Sequence, residues 1–200
     1  VCRQIKEFRE KELKLPRIAV NISRFQFDSS FVERVKEVVL DADIPPSSLE
    51  LSLTEGLLVD DNNEVGKALQ ELRDMGVYLT VDDFGTHSAP LRYLSRHALD
   101  ELRIDKSFVA NCETHQESAA LVTAIIAMVR SLGLRLVAEG VESEAQYRFL
   151  SGNGVRLMQG YLFSKPVLAD ELREMLVVPW HFATQLQRMA LQETVRASES

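Results

Sequence analysis

Asp82 and Asp83 are adjacent carboxylates at the end of the apolar run Val77-Tyr78-Leu79-Thr80-Val81, a placement that can hold a divalent cation. Gly85, just behind them, lets the backbone turn tightly as the run ends. Taken alone, such a pair is as readily a solvated turn or a helix cap. Four further residues change the reading. Asn21, Arg103, Glu139 and Gln159 each fall at or just past the end of another short apolar run. Amide and carboxylate oxygens gathered in one place suit Mg²⁺, Mn²⁺ or Ca²⁺ rather than zinc or copper. Two such ions about 4 Å apart, bridged by one carboxylate, stabilise the attacking and leaving oxygens of phosphodiester hydrolysis. A sugar-processing barrel fits the carboxylates equally well, and spacing does not separate the two.

The elements that must position these residues alternate along the chain. Strands are expected at 17–22, 49–53, 77–81, 101–104, 135–138 and 157–158, and helices at 31–40, 63–75, 118–132, 144–151 and 169–176. In the third of these helices Leu121, Ile125, Met128, Val129 and Leu132 recur at helical spacing and read as a core-facing stripe. Strand–helix alternation at this interval points to βαβ units and a parallel sheet. Six units in one uninterrupted domain favour a (β/α)₈ barrel of the TIM type over an open sheet, with the missing strands preceding Val1. In such a barrel the C-terminal strand ends converge on one mouth, where active sites are built. Asn21, Asp82-Asp83, Arg103, Glu139 and Gln159 all choose that end.

The barrel domain is expected to run over residues 1–178, with a helix or tail over 179–200. Phe182, Leu186 and Met189 form a thin apolar stripe in that tail, and the polar end from Glu193 reads as disordered. Hydrophobic residues make up 46% of the 200, enough for one sizeable core. The net charge of −7 and the lack of a basic cluster argue against long nucleic acid, which needs Lys and Arg on one face. No apolar run is long enough to span a bilayer, so no membrane contact is expected from this segment. Cys2 and Cys112 have neither disulfide-framework nor metal spacing, and a cytoplasmic setting fits best. Val1-Cys2-Arg3-Gln4 has no start residue and reads as mid-helix, so the chain reads as a fragment.

Read together, the motifs resemble the EAL domain family of cyclic di-GMP phosphodiesterases and their inactive relatives. The resemblance rests on Asn21-Ile22-Ser23, Glu50-Leu51-Ser52-Leu53-Thr54-Glu55, Asp82-Asp83-Phe84-Gly85-Thr86, Leu102-Arg103-Ile104-Asp105, Ala138-Glu139-Gly140-Val141-Glu142 and Gln159-Gly160-Tyr161-Leu162-Phe163-Ser164-Lys165-Pro166, in that order. It implies a barrel with one antiparallel strand, often dimeric, that binds cyclic di-GMP at its mouth and hydrolyses it to pGpG. It implies Mg²⁺ or Mn²⁺ as cofactor, with Ca²⁺ inhibitory. Asn21, Asp82 and Asp83 match the family's metal ligands, Asp82 being the bridge. Arg103 matches the family's lysine after the fourth strand, Glu139 the acidic residue beside the metals and Gln159 the glutamine of the last strand-end motif, and the resemblance gives these three the catalytic role. Asp105, Glu142 and Pro166 complete the implied ligand-binding set. The implied partners are the nucleotide, a homodimer mate and a downstream effector protein, in a parent protein that is often membrane-anchored.

The departures from the family pattern matter as much. The Glu-Ala-Leu signature would lie upstream of Val1. Ser52 stands where the family carries a glutamate, and a hydroxyl is a much weaker Mg²⁺ ligand than a carboxylate. Glu50 is an unlikely substitute, one strand repeat away at roughly 6 to 7 Å. Arg103 replaces a lysine; it keeps the charge and grips phosphate, but stays protonated and is a poor general base. His87-Ser88-Ala89-Pro90 replaces the Gly-Tyr-Ser-Ser of the loop that couples metal binding to dimerisation, and Arg156 replaces an aspartate. Pro90 should stiffen that loop. His87 reads as a solvated loop residue or as a replacement ligand. Glu55 reads as a shaper of the mouth loop or as an ordinary acid at a helix start, and Arg103 as a phosphate clamp or a surface charge.

Three functional readings follow. The leading one is a degenerate EAL domain that binds cyclic di-GMP as a receptor or regulatory module. The second is a still competent metal-dependent phosphodiesterase, and the third a protein-interaction scaffold that ignores the nucleotide.

Overall fold

The computed structural model describes residues 1–13, 15, 17–58, 63–85, 94 and 98–177. The expected tail over 179–200 and the loop residues His87 to Pro90 lie outside them.

Six parallel strands make one sheet: β1 Ile18–Ile22, β2 Leu49–Thr54, β3 Tyr78–Phe84, β4 Glu101–Ile104, β5 Arg135–Ala138 and β6 Leu157–Met158. Their order in space is their order in sequence. A doubly wound sheet would reverse direction at a switch point, whereas every crossover here steps the same way, as in a TIM-type barrel. All five strand pairings are parallel, and the antiparallel strand implied by the family resemblance is not among the described residues.

The helices are α1 Cys2–Glu10, α2 Phe31–Ala42, α3 Glu55–Leu58, α4 Asn63–Asp74, α5 Lys106–Val109, α6 Gln116–Ser131, α7 Glu144–Gly152 and α8 Ala169–Val177. Local chemistry sets several boundaries. Ser143 and Gln146 close a capping box at the start of α7, and Asp43 ends α2 in the left-handed conformation ahead of Pro45 and Pro46.

The core lies between helices and sheet. Leu53, Leu79, Val81, Leu102, Ile104 and Ala138 from the strands meet Leu69, Leu72, Val109, Val122, Val129 and Leu150 from the helices, all fully buried. Each of the Leu, Ile and Val side chains contributes about 1.5–3 kcal/mol of burial. Of the stripe expected on α6, Val129 is buried and Ile125, Met128 and Leu132 pack against the core, whereas Leu121 is 53% exposed; Val122 and Ile126, which the stripe did not include, complete its buried centre.

Candidate functional site

Successive strand residues face opposite sides of a sheet. On β2 this sends Leu49, Leu51 and Leu53 to the helices and Glu50, Ser52 and Thr54 to the other face. The same alternation puts Tyr78, Thr80 and Asp82 of β3, Glu101 and Arg103 of β4, and Arg135 of β5 on that second face. Register then aligns Asn21, Ser52, Thr80, Glu101 and Arg135 across five neighbouring strands. One face of the sheet is apolar and the other carries charge.

Arg103 ties the charged face together. Its Nη2 donates to Glu50 Oε1 at 2.6 Å and its Nη1 to Glu139 Oε1 at 3.2 Å. Glu50 Oε1 also accepts the Thr80 hydroxyl at 2.8 Å, and Arg17 Nε stands 3.6 Å from the other Glu50 oxygen. Beneath this lies a second layer. Arg135 donates to Glu101 at 2.9 Å, and Arg17 and Arg135 both stack on the Tyr78 ring, 3.3 and 4.8 Å from its centroid. Burial disfavours the Arg103 charge, but the carboxylates of Glu50 and Glu139 outweigh it, and its pKa is raised. Arg103 is a permanent cation.

Asp82 and Asp83 face the same site because the strand is irregular. The register between β3 and β4 shifts between Val81 and Phe84, and Asp83 adopts φ +52°. A regular strand would send the two carboxylates to opposite faces; the bulge brings both to one side. Aspartate tolerates this left-handed conformation better than most residues. Asp82 Oδ1 accepts the Asp83 N–H at 3.0 Å, and Asp82 Oδ2 accepts the Ser52 hydroxyl at 3.0 Å. Ligand oxygens of Asp82, Asp83 and Glu139 all lie within 4.8 Å of one another. Burial, and then repulsion from Asp82, push the Glu139 pKa up against the pull of Arg103. Hard oxygens in this arrangement fit a divalent cation, whose charge would relieve that crowding.

These residues open into a cleft of about 420 Å³ lined by Arg17, Ile18, Ala19, Asn21, Glu50, Asp82, Arg103, Glu139 and Gln159. Asn21, Asp82, Arg103, Glu139 and Gln159, expected from their strand ends, are thus brought together. Three other expected ligands are not. The Asp105 carboxylate caps α5 by accepting Ser107 N–H at 2.9 Å; burial opposes ionisation there, but the Ser107 hydrogen bonds prevail and its pKa is lowered. Glu142 is exposed beside the α7 cap, and Pro166 is exposed. Neither lines the cleft.

Glu55 opens α3, and its buried carboxylate accepts Gly85 N–H at 3.1 Å, fastening the end of β3; the loop beyond Gly85 lies outside the described residues. A larger groove of about 530 Å³ is lined by Lys11, Leu13, Arg173, Glu174 and Val177, and none of the strand-end residues reaches it.

Sequence reasoning missed Arg17, Tyr78, Thr80, Glu101 and Arg135, and gave Glu50 no role. The signal was present as period-two polarity: Glu50-x-Ser52-x-Thr54, Tyr78-x-Thr80-x-Asp82, Glu101-x-Arg103. Parallel strands are ordinarily apolar on both faces, which hides such a pattern.

The family profile of the EAL domain matches residues 1–166. The chain is 38% identical over 172 residues to the bifunctional diguanylate cyclase/cyclic di-GMP phosphodiesterase MucR of Pseudomonas aeruginosa, covering 86% of this chain but only 25% of MucR. The solved MucR phosphodiesterase in complex with c-di-GMP superposes with a TM-score of 0.81 at 38% identity, over 86% of this chain and 70% of that one. The EAL domain of Mycobacterium smegmatis DcpA gives 0.84 at 34% identity, over 89% and 82%. Klebsiella pneumoniae BlrP1, solved as a manganese/cy-diGMP complex, gives 0.75 at 26% identity, over 84% and 43%.

Proposed function

The chain belongs to the EAL domain family, and from that premise we propose that it binds cyclic di-GMP in the cleft at Asn21, Asp82, Arg103, Glu139 and Gln159, acting as a receptor or regulatory module with lost or weak hydrolysis. The observation that carries this reading is the Ser52–Asp82 hydrogen bond. A neutral hydroxyl occupies the place beside Asp82 where a carboxylate would help hold a metal ion, and it takes up one of the Asp82 oxygens. Hydrolysis through two metals needs both ions to activate water and receive the leaving oxygen. Arg103 does not replace that function, because its guanidinium stays protonated and is held by Glu50 and Glu139. The same guanidinium suits a phosphodiester oxygen, so binding survives what cleavage does not.

A second reading, a competent phosphodiesterase, draws on the retained cluster of Asp82, Asp83 and Glu139. Calorimetric titration of cyclic di-GMP into the protein carrying this domain, with Mg²⁺ present and the cell contents assayed for pGpG, separates the readings. Saturable heat with intact nucleotide supports the receptor. Sustained heat with pGpG overturns it in favour of the enzyme, and a flat trace from folded protein leaves only a protein-interaction scaffold.

A further inference from the structure

Glu139 and Gln159 reach the cleft from the ends of two different strands, β5 and β6. Their backbones are locked to each other. Gln159 N–H donates to Ala138 O at 2.8 Å, Val141 N–H to Gln159 O at 3.0 Å, and Leu162 N–H to Val141 O at 3.0 Å. Gly160 makes this crossing possible, because a Cβ there would overlap the Val141 backbone. The β5 end is pressed as closely from its other side. Gly140 takes φ +68°, and a Cβ on it would overlap Lys106 of α5. The two cleft residues therefore keep one spacing only while the Gly140-Val141-Glu142 turn stays in place.

Gln146 holds that turn. Its side chain is 6% exposed. Its Oε1 accepts Glu142 N–H at 2.8 Å and Ser143 N–H at 3.0 Å, and its Nε2 donates to Ala110 O at 3.2 Å, just past α5. A capping box asks its third helical residue for one bond back to the cap residue. Gln146 adds a bond to the turn and another to the end of a different helix. We infer that Gln146 is a positioning residue of the cleft. By tying the turn between β5 and α7 to α5, it keeps the ends of β5 and β6 as one unit and holds Glu139 at a set distance from Gln159. That this spacing serves cyclic di-GMP rests on the function proposed above; the mechanical coupling does not.

Amide hydrogen exchange followed by mass spectrometry, on the protein carrying this domain and without nucleotide, tests the coupling. Gln146→Met fills the buried space and strips the turn of its acceptor. It should speed exchange about tenfold in residues 139–142 and, across the strand boundary, in 159–162. Gln146→Asn, one methylene shorter, keeps the amide but draws it back from the turn, and should give the same pattern at smaller size. Ser143→Ala is the control for helix capping. It removes the hydroxyl that accepts Gln146 N–H at 3.2 Å and leaves Gln146 Oε1 in place, so faster exchange should stay within the first turn of α7. Gln146→Met should also weaken cyclic di-GMP binding about tenfold, the scale of losing an outer partner of a ligand-bearing side chain, while Ser143→Ala should not. Unchanged exchange at 159–162 in both Gln146 variants, the same spread from Ser143→Ala, or a cyclic di-GMP affinity indifferent to Gln146→Met would overturn the inference. An unaltered protein that binds no nucleotide would end the functional reading instead, and the exchange comparison would still decide this one.

Discussion

Arg103 Nη2 stands 2.6 Å from Glu50 Oε1, and both side chains are largely buried, at 12% and 7% exposure. The pair spans two strands apart in the sheet, with Thr80 of the intervening β3 donating to the same oxygen. Glu50 is therefore the anchor that aims Arg103 at Glu139 and the cleft, which Glu50 itself also lines.

Removing one partner of a buried ion pair leaves the other charged and desolvated. Glu50→Ala should cost about 3–5 kcal/mol of unfolding free energy by urea denaturation. Glu50→Gln keeps an oxygen for Thr80 and should cost distinctly less. Equal losses for the two variants would mean that the charge, which both remove, and not packing or the Thr80 hydrogen bond, is what Glu50 supplies.

Much of this was legible in the sequence. The strand-end polar residues were found because a strand end marks the mouth whatever the side chain is. The bulge was not legible, since nothing in Asp82-Asp83 specifies which residue takes φ +52°. Helix α1 was seen only as a mid-helix beginning, because Val1 offers no side-chain cap, yet Ile5 and Phe8 are buried. Asp105 was expected beside the nucleotide from the family motif alone, and its part in the α5 cap went unread although Ser107, two residues on, supplies the N–H it accepts.

Gly85 closes the bulge at φ +97°, and a Cβ there would stand 2.7 Å from the Phe108 ring. Gly85→Ala should cost more than about 1 kcal/mol from backbone strain, plus the clash. Adding Phe108→Leu should recover the clash and not the strain, so partial recovery in thermal denaturation is expected. Full recovery would show the backbone conformation to be unstrained.

Arg103 contacts Glu50 and Glu139 through two different nitrogens, which a lysine ammonium matches poorly from one point. On the proposed function, Arg103→Lys should weaken cyclic di-GMP binding by about tenfold, roughly 1.4 kcal/mol, and by itself release no pGpG. The double variant Ser52→Glu/Arg103→Lys should form pGpG where neither single variant does, because a missing metal ligand and a misplaced cation act on the same step. Product from Arg103→Lys alone would remove Ser52 from the account.

Glu101 gives the pH dependence its sign. Burial, and next the charge of Glu50, raise its pKa above the ordinary glutamate value of 4.5, while Arg135 and Arg103 pull against them. A carboxylate whose folded pKa is raised favours the folded state most while it is protonated, below its unfolded value. That contribution is lost as pH rises through the folded pKa. The native protein should therefore lose stability relative to Glu101→Gln as pH climbs from 4.5 toward neutrality. The amide retains an oxygen for the Arg135 hydrogen bond, so the difference isolates the charge. Urea midpoints of both proteins at several pH values above 4.5 provide the check. Parallel curves would mean that Arg135 and Arg103 fully offset both the burial of Glu101 and the repulsion from Glu50.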